Sequence, residues 1–163
     1  MKTMPIMAAL AVALLFGSNL SAGAVERLTG PQLQKLFEGN TVTGRYSGNN
    51  LPFSEHHGID GRATGHNRNV PNTDACWITV PDGVCYYYGP PESRRTYCFD
   101  VDLSGNLYVL RSRPSGRING IATIEPGDPH KFAQSSKPWT CDGMISQAPA
   151  KGPAMSRRQL AAR

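Results

Sequence analysis

Glu55-His56-His57, with Asp60 and His66 a few residues further on, is the densest set of functional groups in the chain. Two or three imidazoles and a carboxylate make a ligand set for Zn²⁺ or Cu²⁺, so Glu55, His56, His57 and His66 are the candidate metal ligands. Adjacent strand residues point to opposite faces, and only one of His56 and His57 can therefore join His66. The favoured reading is an exposed polar hairpin tip, and no cofactor is expected. His130 is a lone loop histidine.

Other chemistry has less support. Ser47, Ser93, Ser104 and Ser115 fall in turns and lack the strand-elbow-helix setting of G-x-S-x-G. Asp100 and Asp102 stand two apart on one strand face, near Arg111 or Arg94, where cross-strand ion pairing is the expected role. No catalytic residue is assigned, and the protein is not expected to be an enzyme.

The cysteines Cys76, Cys85, Cys98 and Cys141 have no CxxC pair among them. Their redox state depends on compartment, and the N-terminus addresses that. Lys2 supplies a positive start, Ile6 to Phe16 an apolar core, and Ala22-Gly23-Ala24 a small-x-small cleavage site, the order of an export signal. The expected mature chain begins at Val25, in the periplasm or outside the cell. An apolar core of this length is too short to span a bilayer of about 30 Å, so no membrane span is expected. Exported thiols oxidise, and four cysteines give two disulfides in one of three connectivities.

Loss of 24 residues from 163 leaves 139, enough for one domain with a real core. The formal net charge is +5, but residues 25–142 hold twelve Lys and Arg against twelve Asp and Glu. The basic excess therefore lies in Lys2 and in the tail at 143–163, which lacks apolar periodicity and reads as disordered. A neutral folded part is no nucleic-acid footprint. Arg94 with Arg95, and Arg111 and Arg113 with Arg117, are clusters at predicted hairpin ends, where arginines are usually solvated.

Thr29-Gly30-Pro31 can start a helix and Leu33, Leu36 and Phe37 give it an apolar face, which predicts a helix over 30–38. From Thr41 to Ile124 short runs rich in Val, Ile, Thr, Tyr and Phe alternate with Gly, Pro, Asn and Asp. Strands are expected at 41–47, 52–57, 62–67, 75–80, 84–88, 96–103, 107–111 and 117–124. Their short links require antiparallel pairing. The fold class is therefore mainly β: a single small antiparallel meander of about eight short strands curled into a barrel or half-barrel, with one N-terminal helix that could cover one end.

In Tyr97 to Leu103 the odd positions are apolar or aromatic, so one face meets a core. If Tyr88 pairs with Arg95, then Tyr86 lies opposite Tyr97, Val84 opposite Phe99 and Cys85 opposite Cys98. That register makes Cys85–Cys98 one disulfide and leaves Cys76–Cys141 as the other. Trp77, on the face opposite Cys76, joins Tyr86, Tyr97 and Phe99 as the expected core aromatics. Tyr87 should face out.

Several blocks stand together: Gly39-Asn40-Thr41-Val42-x-Gly44, Phe53-Ser54-Glu55-His56-His57, Asp60-Gly61-Arg62-Ala63-x-Gly65, the Trp77-to-Val84 region, Val84-Cys85-Tyr86, Tyr97-Cys98-Phe99 and Gly120 to Gly127. From about Leu28 to Gly127 the chain resembles an uncharacterised family of small exported proteobacterial proteins with the rough pattern GNTxxG, YxEYxxxDGxxxG, GxWxV, LCY, CYxV. The resemblance implies a lipocalin-like or half-barrel architecture and transfers no catalytic residue. His56 and His57 depart from it, as do the tail and Cys76, and the added Cys76 supports its pairing with Cys141.

The function expected is that of a monomeric, non-enzymatic binding protein that engages a protein partner, as an inhibitor does, or a small ligand. Small barrels fill their interiors with side chains, which places the protein partner ahead of the ligand. The alternative is metal handling through the His56, His57 and His66 hairpin.

Overall fold

A computed structural model of the protein describes residues 25–141. The export signal read at 1–24 and the basic tail read at 143–163 lie outside the described residues. The element order is β1 (Glu26–Arg27), α1 (Gly30–Phe37), β2 (Thr41–Tyr46), β3 (Pro52–His57), β4 (Ala63–Asn67), β5 (Val70–Pro71), β6 (Cys76–Val80), β7 (Gly83–Tyr88), β8 (Arg95–Ser104), β9 (Leu107–Ser112), β10 (Ile118–Glu125) and α2 (Phe132–Ser135). The helix and all eight strands expected from the sequence are present. The two-residue strands β1 and β5 and the single turn α2 are additional, and segments so short carry no period from which they could be read.

Each strand from β2 to β5, and from β6 to β10, pairs antiparallel with the next. β10 then returns to β2, Gly120 opposite Tyr46 through Glu125 opposite Thr41, and the sheet runs β5-β4-β3-β2-β10-β9-β8-β7-β6. This return curls it into a half-barrel. At one end the two edges meet: Arg62 bridges Cys76, the Ala63 N–H donates to Ala75 O at 2.9 Å and the Trp77 N–H to Gly61 O at 2.8 Å. Further along, β4 pairs with β5 instead, and the seam stays open. β1 lies along the last residues of β8.

α1 closes the end where the edges meet. Its N–H at Gly30 donates to Pro81 O at 2.9 Å, and a Cβ there would collide with the carbonyl of Val80, so only glycine allows this approach. Gln32 Oε1 accepts from the Thr29 N–H at 2.8 Å, which satisfies one free donor of the first turn. Leu33 and Phe37 are fully buried and pack with Leu28, Val42, Trp77, Val84 and Val101 into the main core. The interior of this half is filled with side chains, as expected of a small barrel.

β7 and β8 pair in the register read from the sequence, Tyr86 opposite Tyr97 and Cys85 opposite Cys98. The disulfides are Cys85–Cys98 and Cys76–Cys141. After β10 the chain crosses the outer face of β3 and β4: Thr41 Oγ1 donates to Gly127 O at 2.7 Å, and Asp128 accepts from the N–H groups of Phe132 and Ala133 at 2.9 Å each. Trp139 Nε1 donates to Ala75 O at 3.0 Å, and Cys141 then ties this strap to β6. Tyr87 does lie on the outer face, where it packs beside Trp139 and the Cys76–Cys141 bond.

Asp100 and Asp102 form ion pairs, as expected of them. Asp102 is buried and bonded by Arg27 and Arg111, and Asp100 by Arg27 and Arg113; Arg94 takes no part. Burial raises the Asp102 carboxyl, but the bonds from Arg27 and Arg111 outweigh it and hold the pKa below the ordinary value. The network ties β1 and β9 to β8. Among the described residues no helix is long and apolar enough to cross a membrane.

Candidate functional site

Alternation along β3 turns Phe53, Glu55 and His57 into the half-barrel. The Glu55 side chain is therefore carried inward from a strand interior and left only 4% exposed. An isolated buried carboxylate would be strongly destabilising, and three donors offset the cost. Glu55 Oε1 accepts from Asn67 Nδ2 at 2.6 Å, Asn72 Nδ2 at 2.7 Å and Tyr88 OH at 2.9 Å. None of the described residues hydrogen-bonds its Oε2. Burial pushes the carboxyl up to about 7 although the three bonds act against the shift.

Glu55 lines a cavity of about 260 Å³ in the half of the barrel away from α1. Its walls are Tyr46, Phe53, Tyr86, Tyr88, Tyr97 and Phe99, with Leu110 at the side and Arg68 and Asn119 at the mouth. The residues come from seven strands or their turns, all at the same end, because alternation turns every second residue of each strand inward there. The expectation of a filled interior thus holds for the helix-covered half only. In the other half none of the described elements covers the end, and large rings stand around a space.

Tyr97 is the correction among the core aromatics. It faces inward in the expected register but is 45% exposed, because β8 begins only two residues earlier and Tyr97 stands at the open mouth. Its ring packs edge-on to Tyr88 with centroids 5.9 Å apart. Trp77 and Tyr86 are buried at 3% each, and Phe99 packs against the core and the cavity.

The candidate metal ligands do not assemble. Glu55 and His57 are inside, while His56 and His66 are on the outer face, as the pairing of His56 with Thr64 and of Ser54 with His66 requires. His56 Nδ1 donates to Gly127 O at 3.3 Å, and the His66 ring lies edge-on to Phe132 at 5.8 Å. No group of three metal-ligating side chains stands together among the described residues. The hairpin is not an exposed polar tip either, since the strap covers its outer face and His57 is fully buried.

His57 separates the cavity from the helix-covered core. Its ring lies 5.1 Å from Phe37 and 5.0 Å from Trp77, and Tyr86 OH donates to its Nε2 at 2.8 Å. Nδ1 then carries the proton and donates to the backbone oxygen of Glu55 at 3.0 Å. Burial lowers the imidazole to about 3, so it is neutral at every physiological pH.

Sequence reasoning placed Glu55 in a ligand set that the fold does not bring together, and missed its hydrogen-bond partners. Tyr88 was legible as inward by alternation. Asn67 and Asn72 carried no signal, since Asn72 lies in a loop and its amide reaches Glu55 only because β4 turns back into β5 beside it. Tyr46 donates to Asn67 Oδ1 and completes the set.

A carboxyl group in an aromatic cavity, with one oxygen saturated and one free, can accept a hydrogen bond from a ligand N–H or O–H. Nucleophile, base and oxyanion donors do not converge here as a hydrolytic mechanism would require. No protein-family model matches the chain, and no curated protein and no solved structure matches it either.

Proposed function

We propose that the protein is an exported, non-enzymatic binding protein that holds a small, largely apolar ligand in the open half of its half-barrel. The observation that carries this reading is the free Oε2 of Glu55 on the wall of the aromatic cavity. Ligand sites are concave and mostly apolar, with a few placed polar groups that fix orientation, and this cavity has that make-up. At about 260 Å³ it lies just below the common range of about 300–1,000 Å³, which fits a single-ring compound. The two disulfides suit an oxidising compartment, in keeping with the export signal read at 1–24.

Titration of the mature chain with phenol, followed by amide shifts in NMR, tests the reading. Saturable shifts centred on Tyr46, Glu55, Tyr88 and Leu110 are expected. Glu55→Gln keeps the shape, but with its one oxygen held by Asn67, Asn72 and Tyr88 it turns an N–H donor to the cavity in place of the acceptor, and should weaken binding at least roughly tenfold. Shifts that do not saturate, or that centre on α1 or the strap, would refute it.

A further inference from the structure

The arginines of the described chain divide by position. Arg27, Arg62, Arg111 and Arg113 each pair with a carboxylate. Arg45, Arg68, Arg94, Arg95 and Arg117 pair with none of the described carboxylates, and all five lie at or beside the turns of the open end. Those turns, at 47–51, 68–69, 89–94 and 113–117, hold one acidic residue, Glu92. In the sequence the five are scattered over more than seventy positions; only the curl of the sheet gathers them.

Two of them stand where a ligand would pass. Arg68 lines both the cavity and the cleft outside it, with its guanidinium 5.0 Å from the centre of the Tyr46 ring. Arg117 lines the same outer cleft with Asn119 and Ser115. The depth of the site follows from β3. The Arg68 N–H donates to Pro52 O at 2.9 Å, which sets Arg68 level with Pro52. Three residues of strand then separate the backbone levels of Arg68 and Glu55, roughly 10 Å along β3. That is about the length of one six-membered ring with a polar group at each end.

Resting on the small-ligand reading above, we infer that the ligand is a single-ring compound with a hydrogen-bond donor at one end and an anionic group at the other. The donor meets Glu55 Oε2 at the bottom, the ring lies among Tyr46, Phe53, Tyr88 and Phe99, and the anion meets Arg68 and Arg117 at the mouth. A guanidinium that has no carboxylate of its own is free to bind that of a ligand, in two parallel hydrogen bonds. A cationic ligand would meet Arg68 and Arg117 on entry and is selected against.

The test compares 4-hydroxybenzoate with phenol at pH 8 and low salt, by the same NMR titration, and reads the ratio of their affinities. In the wild type 4-hydroxybenzoate should bind roughly three to ten times more tightly. Arg68→Gln combined with Arg117→Gln should bring the ratio to about one, as should high salt in the wild type, while Arg62→Gln at the far end should leave it unchanged. If phenol binds in the cavity and the added carboxylate gives no gain, or the gain survives in the double variant, the anionic assignment is wrong and the small-ligand reading stands. If neither compound binds, both are wrong.

Discussion

Glu55 and His57 sit two residues apart on the same inward face of β3, and the Nδ1–H of His57 donates to the backbone oxygen of Glu55 at 3.0 Å. Burial acts on both and moves them in opposite directions. It raises the carboxyl to about 7 and lowers the imidazole to about 3, because in each case it is the charged form that loses its solvation.

The pair predicts an unusual pH profile. Glu55 is protonated in both states below its ordinary value of 4.5; between 4.5 and about 7 the unfolded chain releases the proton first, so stability falls as pH rises. His57 is neutral in both states above its ordinary 6.5; between 6.5 and about 3 the unfolded chain takes up the proton first, so stability falls as pH drops. Across about pH 4.5 to 6.5 the two slopes oppose each other, and urea midpoints of the wild type should be nearly level. In Glu55→Gln only the His57 slope remains, and stability should climb with pH by up to about 1.4 kcal/mol per unit. Equal slopes in the two proteins would show that Glu55 is not titrating as a buried group.

The strands, the β7–β8 register and both disulfides were legible because local alternation and turn chemistry set them: Tyr97 to Leu103 alternates strictly, and the position of Cys85 opposite Cys98 follows from one hairpin. The cavity was not legible. It depends on the described elements leaving the open end uncovered, and on Asn72, whose role comes from a loop placed by β4 and β5. The histidines misled for a related reason. Spacing can show that His56 and His57 point apart, but not that a strap from residues after Glu125 covers one and that Phe37 and Trp77 enclose the other.

Trp77 is 3% exposed, its ring is edge-on to His57, and its Nε1 donates to Gly58 O at 3.1 Å. Trp77→Ala removes a large buried aromatic and leaves that carbonyl with the Gly61 N–H as its remaining donor, at 3.0 Å. A loss of about 3–5 kcal/mol in denaturant unfolding is expected. A loss below about 0.5 kcal/mol would place the indole in solvent instead.

The two disulfides should differ in worth. Cys76–Cys141 closes a separation of 65 residues and Cys85–Cys98 one of 13, so chain entropy gives about 4 kcal/mol for the first and about 3 kcal/mol for the second. Paired alanine variants, Cys76→Ala with Cys141→Ala and Cys85→Ala with Cys98→Ala, measure both. The first pair should cost more and should also raise the proteolysis rate within 126–140, because the strap would then be held by non-covalent contacts alone, among them the Trp139 bond to Ala75, the Phe132 contact with His66 and the bonds at Gly127. Equal cost with no change in cleavage would mean that the strap is held without its covalent tie.

Gly44 marks where β2 runs tightest against its neighbours. A Cβ there would collide with the carbonyl of Ile121 and would stand 2.6 Å from Phe53 Cζ and 2.9 Å from Ala122 Cα. The first contact is with backbone, which cannot rotate away, and the second with a ring that walls the cavity. Gly44→Ala should therefore cost about 1–3 kcal/mol by forcing β2 and β10 apart, and should also weaken phenol binding by displacing Phe53. Gly48, in the next turn, has no atom within 4 Å of its would-be Cβ, so Gly48→Ala should stay within about 0.5 kcal/mol of the wild type. Equal effects from the two variants would show that the β2–β10 junction, which closes the curl of the sheet, has room to spare.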